Sequence, residues 1–137
     1  PMYVPAYVNL ADLYRRRDDE AEAERVLRQA AGLIPDSGDL HYALGLSLIR
    51  QQRALAAVEE LRLAATLSPE NARYIDVYAV ALISTCNPDQ AFLVLRGAHN
   101  SHPNNVDILN ALTAFNRDAG NHEQAKRYAE KLRRLSP

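Results

Sequence analysis

His99 and His102 stand in an H-x-x-H spacing near the predicted end of a helix, an arrangement that would offer two imidazole ligands to a metal ion. No third ligand is evident nearby. The pair therefore reads as two rings beside the C-terminal carbonyls of that helix, where partial negative charge favours imidazolium. Cys86 sits in the turn Ser84-Thr85-Cys86-Asn87-Pro88, and no basic neighbour in sequence depresses its thiol. It is expected to be an incidental surface or half-buried cysteine. As the single cysteine it also excludes an internal disulfide and a cysteine-based metal cluster. The sequence holds no G-x-x-x-x-G-K, G-x-G-x-x-G, H-E-x-x-H or C-x-x-C motif, and its five glycines are too scattered to cradle a phosphate. The basic run Arg15, Arg16, Arg17 is followed at once by Asp18, Asp19 and Glu20, the pattern of a solvated helix end. Nothing here converges on a catalytic centre, and the expectation is a chain with no enzymatic activity, no metal and no cofactor.

The balance of charge narrows the partners. Sixteen basic side chains against 17 acidic ones give a net charge of -1 over 137 residues, which leaves no electrostatic footprint for nucleic acid or an anionic membrane. No apolar run approaches the roughly 20 residues that cross a bilayer, and no signal-peptide pattern opens the chain. The compartment stays open between cytoplasm and periplasm. Pro1 precedes Met2, and Tyr3, Val4, Tyr7 and Val8 give the first segment an apolar edge, so the expectation is a fragment of a longer chain.

A fixed step organises the residues. Pro35, Pro69, Pro103 and Pro137 are each 34 residues apart, as are Ala23, Ala57, Ala91 and Ala125. Ala30, Ala64 and Ala98 keep the same step, with Leu27, Leu61 and Leu95 between them and Ala11, Gly45 and Ala79 before them. Within each period apolar residues fall at helical spacing, as in Tyr7, Leu10, Ala11, Tyr14 and then Ala23, Val26, Leu27, Ala30, which predicts two short amphipathic helices per repeat. Asp18-Asp19, Asn87-Pro88 and Gly120-Asn121 break the pairs, the prolines stop the second helices, and Asp36, Ser37, Asn71 and Asn105 can cap helix starts. The eight helices are expected at about 6–17, 20–34, 38–51, 54–67, 72–85, 88–101, 106–118 and 122–135, with no sheet.

These residues resemble the tetratricopeptide repeat, a 34-residue helix-turn-helix with a large residue, Leu, Gly or Ala, and Tyr on its first helix, then Ala, a large apolar residue, Ala and Pro. Leu44, Gly45, Leu48, Ala57, Leu61, Ala64 and Pro69 carry the pattern in the second repeat, and Tyr7, Leu10, Ala11, Tyr14, Ala23, Leu27, Ala30 and Pro35 in the first. The resemblance implies an all-α, right-handed superhelical solenoid of four repeats, 4–37, 38–71, 72–105 and 106–137, forming one domain over 1–137. Two positions depart from it. Asn116 stands where an aromatic or Leu belongs, with Phe115 one place early, and His41 occupies an aromatic packing position at the core or groove edge. The polar last helix, with Lys126, Arg127, Glu130, Lys131, Arg133 and Arg134, reads as a C-terminal cap.

The resemblance further implies a protein-binding scaffold whose first helices line a concave groove for a peptide or partner helix. Helical phase places Tyr42, Leu46, Ile49, Val80 and Ile83 on that side, opposite the core residues Leu44, Gly45, Leu48, Tyr78, Ala79 and Leu82. Polar residues flank them: Asp12, Arg15 and Arg16 at one end, Asp76 centrally, and Asn110, Arg117 and Asp118 at the other. The co-chaperone version of the fold, which grips a carboxylate with lysines and asparagines, is disfavoured. Its positions hold Val8, Asp12, Ala43 and Val77, and only Arg73 is in register. Burying five apolar side chains at about 1.5 to 3 kcal/mol each, against association costs of about 4 to 15 kcal/mol, sets micromolar affinity as the scale. Self-association or an upstream segment are alternative occupants, and Leu93, following Phe92 on a second helix, offers a rival convex surface. A second, weaker resemblance, in PAYVNLADLYRRR, HYALGLSLIRQQR, ARYIDVYAVAL and RDAGN, is to C-terminal repeat regions of bacterial multihaem cytochrome-like proteins. It implies an accessory or assembly domain of a larger enzyme or electron-transfer protein, periplasmic in that case, although the chain has no C-x-x-C-H.

Overall fold

The computed structural model describes residues 3–136, so Pro137 and the first two residues lie outside it. Eight helices follow in chain order: α1 Val4–Arg16, α2 Glu20–Leu33, α3 Gly38–Arg50, α4 Ala54–Leu67, α5 Ala72–Ser84, α6 Pro88–Ser101, α7 Val106–Asp118 and α8 His122–Leu135. No strand occurs among the described residues. The expected boundaries hold to within two residues. The largest departure is α1, which starts at Val4 because Pro5 sits in its first turn, where its missing N–H costs nothing. The helices gather into two compact units, residues 1–69 and 70–137, each of two helix pairs.

In the first unit α1 packs on α2, α3 on α4, and α2 and α1 both meet α3; in the second, α5 and α6, α6 and α7, α7 and α8, and α5 and α7 do the same. The repeating small residues sit where helices cross. Ala23, Ala57, Ala91, Ala30, Ala64 and Ala98 are buried, as are Leu27, Leu61 and Leu95 beside them. Asp19, Ser37, Asn71 and Asn105 cap α2, α3, α5 and α7 by accepting the backbone N–H of Glu22, Leu40, Arg73 and Ile108. Each second helix of the first three repeats ends on a non-helical residue, Ile34, Ser68 or His102, with φ of -129°, -129° and -132° and ψ of 70°, 65° and 65°. The proline that follows each of them excludes helical geometry there.

The first helices end differently, on a left-handed residue at the same 34-residue step: Asp18, Gln52, Cys86 and Gly120, at φ of 59°, 59°, 63° and 83°. Around each, two backbone bonds close a Schellman turn, for example Gln52 N–H to Ile49 carbonyl at 2.9 Å and Arg53 N–H to Leu48 carbonyl at 2.9 Å. Only one of the four is glycine, the residue that this backbone accommodates without a Cβ clash. Replacing Gln52 by glycine is accordingly expected to stabilise the protein by about 1 kcal/mol and Gly120→Ala to destabilise it by a similar amount. Urea unfolding of the two variants against the parent checks both signs.

Asn116 is 1 % exposed. Its Nδ2 donates to the Leu112 carbonyl at 2.8 Å, and its own carbonyl accepts the Asn121 N–H of the turn at 2.8 Å. Phe115, one place early in sequence, is not lost to packing: its ring stacks on Phe92 with centroids 5.1 Å apart and 12° between planes. The guanidinium of Arg96 lies 5.6 Å from the other ring's centroid. The last helix buries only Ala125 and leaves Lys126, Arg127, Arg133 and Arg134 in solvent.

Candidate functional site

In the first unit the faces of α1 and α3 carry seven of the groove residues expected from sequence. Tyr42, Leu46, Val8 and Asp12 are half-buried, and Ile49, Arg15 and Arg16 are exposed. Asp12 pairs with Arg15 at 3.5 Å, with a little under half of each side chain exposed. The opposite side of α3 is closed: Leu40, Leu44, Gly45, Ser47 and Leu48 are buried.

Glu20 does not end a solvated charge run as the sequence suggests. It accepts the Ser47 hydroxyl at 2.6 Å and the Arg50 guanidinium at 3.1 Å, from α3, while the charge of Arg15 still favours its ionised form. One turn on, Glu24 takes Gln51 Nε2 at 3.1 Å, Arg53 Nη1 at 2.6 Å and Arg28 Nε at 2.6 Å. Partial burial alone would raise both carboxyls, but these donors together outweigh it and hold both below the usual carboxylate range. Carboxyls depressed by folding add stability above their unfolded pKa, and that stability is lost as pH falls through the folded value. The signal available in sequence is the matched i, i+4 spacing of Glu20 and Glu24 on one helix and Ser47 and Gln51 on the next.

His41 packs in the interior, as the family pattern implies, but as a polar clasp. Its Nε2 donates to the Pro35 carbonyl at 2.9 Å, and its Nδ1 meets Glu60 Oε2 at 2.7 Å. The imidazolium expected at His99 is a miss. The ring lies edge-on to Tyr128 at 5.4 Å, its Nδ1 is buried without a hydrogen-bond partner, and desolvation followed by the charge of Lys131 lowers its pKa. Helix-end carbonyls do not offset the burial and the lysine charge that oppose the imidazolium. No group of three or more His, Cys, Asp or Glu placed to hold a metal occurs among the described residues. Cys86 is exposed, at the left-handed turn position.

In the second unit a cleft of about 500 Å³ opens on the first helices, lined by Val80, Ile83, Pro88, Asp89, Ala111, Ala114, Phe115, Asp118 and Ala119. Val80 is 53 % exposed and Ile83 45 %, whereas Tyr78, Ala79 and Leu82 on the other side of α5 are buried. Of the residues expected from sequence, the cleft brings together Val80, Ile83 and Asp118; Arg73, Asp76, Asn110 and Arg117 are not in its lining. The face of α7 that closes the cleft runs through Ala111 and Ala114, about a quarter turn from the mean direction of Asn110 and Arg117. The sequence reading missed both alanines, and the repeat register on α5 was the signal for them, since Val77 and Val80 recur 34 residues on as Ala111 and Ala114.

Asp76 lies on α5 one turn before Val80. Burial pushes its carboxyl up, the charge of Asp107 pushes it further, and Arg73 opposes both. A carboxyl raised by folding resists ionisation, so its charged form weakens the fold above the folded pKa, and the penalty fades as pH falls. Asp76→Asn is therefore expected to raise Tm modestly at about pH 7, with the difference from the parent shrinking toward about pH 4. Paired thermal melts across that range check it, and a constant difference would contradict it.

The most exposed leucines of the second helices are Leu93 on α6 at 62 % and Leu55 on α4 at 78 %. The first is the rival surface expected from sequence; the second went unnoticed there. No described helix is long and apolar enough to cross a membrane.

The comparisons with known proteins extend this picture. The family model for the tetratricopeptide repeat matches residues 4–37. The type IV pilus assembly protein PilF of Pseudomonas aeruginosa is 29% identical over 133 residues, 96% of this chain and 53% of PilF, so the chain spans about half the length of that curated relative. A solved structure of Pseudomonas aeruginosa PilF overlays with a TM-score of 0.78 at 28% identity, over 96% of this chain and 60% of that one. A crystal structure of MamA overlays with a TM-score of 0.83 at 18% identity, over 98% of this chain and 79% of that one, which shows the shared fold. These relatives give no support to the multihaem likeness. With the family model seated on its first helix pair and the same 34-residue helix-turn-helix plan continued through the other three, the chain has the all-α fold of the tetratricopeptide-repeat solenoids.

Proposed function

We propose that the chain is a non-catalytic protein-interaction scaffold that takes a peptide or partner helix on the faces of its first helices, its 137 residues acting as one array. The observation that carries this reading is the cleft on α5 and α7, where Val80 and Ile83 stand in solvent although the same helix has a fully buried side available for apolar residues. Exposed aliphatic side chains in a concave surface lose water only when something covers them. Tyr42, Leu46 and Ile49 on α3, with Val8, Asp12, Arg15 and Arg16 on α1, supply the corresponding face of the first unit, and Arg73, Asp76, Asn110 and Arg117 flank that of the second. Likeness to a protein named for pilus assembly supports work on other proteins over turnover of a small molecule. The second reading, binding through Leu93 on the convex side, rests on that residue's exposure.

Selection of binders from a random peptide library displayed on phage decides between them. Peptides are expected to lose binding to Val80→Glu or to the Tyr42→Ala, Leu46→Asp double variant and to keep it with Leu93→Asp, each variant verified as helical by circular dichroism. Loss with Leu93→Asp alone would move the interface to the convex side.

A further inference from the structure

The face formed by α5 and α7 has a charge pattern that specifies its ligand. On α7 the positions 107, 111, 114 and 118 fall four, three and four residues apart, so Asp107, Ala111, Ala114 and Asp118 lie along one side of the helix. On α5 the positions 76, 80 and 83 do the same with Asp76, Val80 and Ile83. The middle of this face is the apolar cleft, and its lining includes two carboxylates, Asp89 and Asp118, and no cationic side chain. Arg117 reaches Asp118 only at 3.8 Å, with both side chains largely in solvent, so it neutralises little of that charge. At the other end burial and the charge of Asp107 both disfavour ionisation of Asp76, and Arg73 offsets only part of this, so two acidic side chains face one cation there. An aliphatic floor thus lies between two acidic ends. Asp118 lies eleven helical steps beyond Asp107 on α7, about 16 Å at 1.5 Å per residue.

We propose that the α5/α7 face binds a peptide segment in which a short aliphatic run is bracketed by two lysine or arginine side chains roughly five extended residues apart. This rests on the scaffold reading and names the chemistry of its partner. The aliphatic residues fill the cleft over Val80, Ile83, Ala111 and Ala114, and each cation settles beside the carboxylates at its end of the face. An acidic or uncharged segment of the same shape gains the apolar contact but meets repulsion, or no partner, at both ends.

The test uses the ¹⁵N-labelled protein and three end-blocked peptides, KLALVK, ELALVE and KGSGSK, followed by NMR titration at low salt. KLALVK is expected to shift amides of α5 and α7 and to bind at least about tenfold more tightly than either of the others, with the advantage over ELALVE lost at high salt. The exposed-site double variant Asp107→Lys, Asp118→Lys is expected to reverse the preference toward ELALVE, a result that unfolding cannot mimic. Equal binding of KLALVK and ELALVE, shifts mapping elsewhere, no shift at millimolar peptide, or an unreversed preference in the double variant would each overturn the inference. The scaffold reading fails separately: phage-selected peptides that are acidic yet lost with Val80→Glu would leave it standing and sink this one, whereas peptides lost only with Leu93→Asp would sink both.

Discussion

Leu61→Ala is expected to lower the unfolding free energy by about 2–5 kcal/mol, and adding Gly45→Ala to that variant to recover part of the loss. Leu61 is completely buried on α4 and fills the space left by Gly45 on α3. A Cβ at position 45 would lie 2.7 Å from Leu61 Cδ2 and 2.8 Å from its Cγ, closer than carbon atoms pack. In the parent protein, Gly45→Ala therefore sets about 1 kcal/mol of improved helix propensity against about 1–3 kcal/mol of overpacking, and the balance is destabilising. Gly45→Leu, with three more carbons in the same contact, loses more. Once Leu61 is shortened the contact is gone, and the same methyl enters a cavity while still favouring the helix. The sign of Gly45→Ala should reverse between the two backgrounds. A double-mutant cycle by denaturant unfolding measures the reversal, with a coupling of about 1–3 kcal/mol expected. The same sign in both backgrounds would show that the α3/α4 crossing does not depend on this contact.

The second large effect is expected at a position where the family pattern and the structure advise opposite changes. His41 occupies a place that the pattern reserves for an aromatic residue, so His41→Phe looks like a consensus improvement. The structure predicts a loss of about 1–3 kcal/mol, because Phe leaves the Pro35 carbonyl and the Glu60 carboxylate without their donor in a largely buried setting. His41→Phe combined with Glu60→Leu should recover part of that loss, since removing both members of a buried polar pair costs less than removing one. The Pro35 carbonyl still goes unsatisfied in the double variant. Thermal melts of the two variants and the parent settle the order, and a His41→Phe protein as stable as the parent would mean that the clasp carries no net weight.

What could be read without coordinates is the part of the architecture that depends on near neighbours in sequence. Ser37, Asn71 and Asn105 cap helices because the N–H groups they satisfy lie two or three residues ahead. Pro35, Pro69 and Pro103 end helices through a steric effect on the residue before them. The small residues at 34-residue steps announce helix crossings because only close backbones need them. Even the outward placement of Val80 and Ile83 against buried Tyr78 and Leu82 follows from helical phase alone.

The chain's own sequence is mute where a side chain chooses among partners brought near by packing. Glu20 has Arg15, Arg16 and Arg17 next to it in sequence, but Ser47 and Arg50 are 27 and 30 residues away and hold it. His99 looks like a helix-end cation until Tyr128 and Lys131 from α8 are laid against it. Phe115 looks misplaced until Phe92 on α6 is seen to meet its ring, and Asn116 looks polar in an apolar column until its amide is found on the Leu112 carbonyl. Gln52 and Cys86 gave no warning of their left-handed backbone, because the turn is imposed by the two helices it joins and not by the residue that makes it. Local sterics and helical period are properties of the chain, so the repeat, its caps and its stops were determined by sequence. Electrostatic and packing partners depend on distance in space, which tertiary structure alone decided.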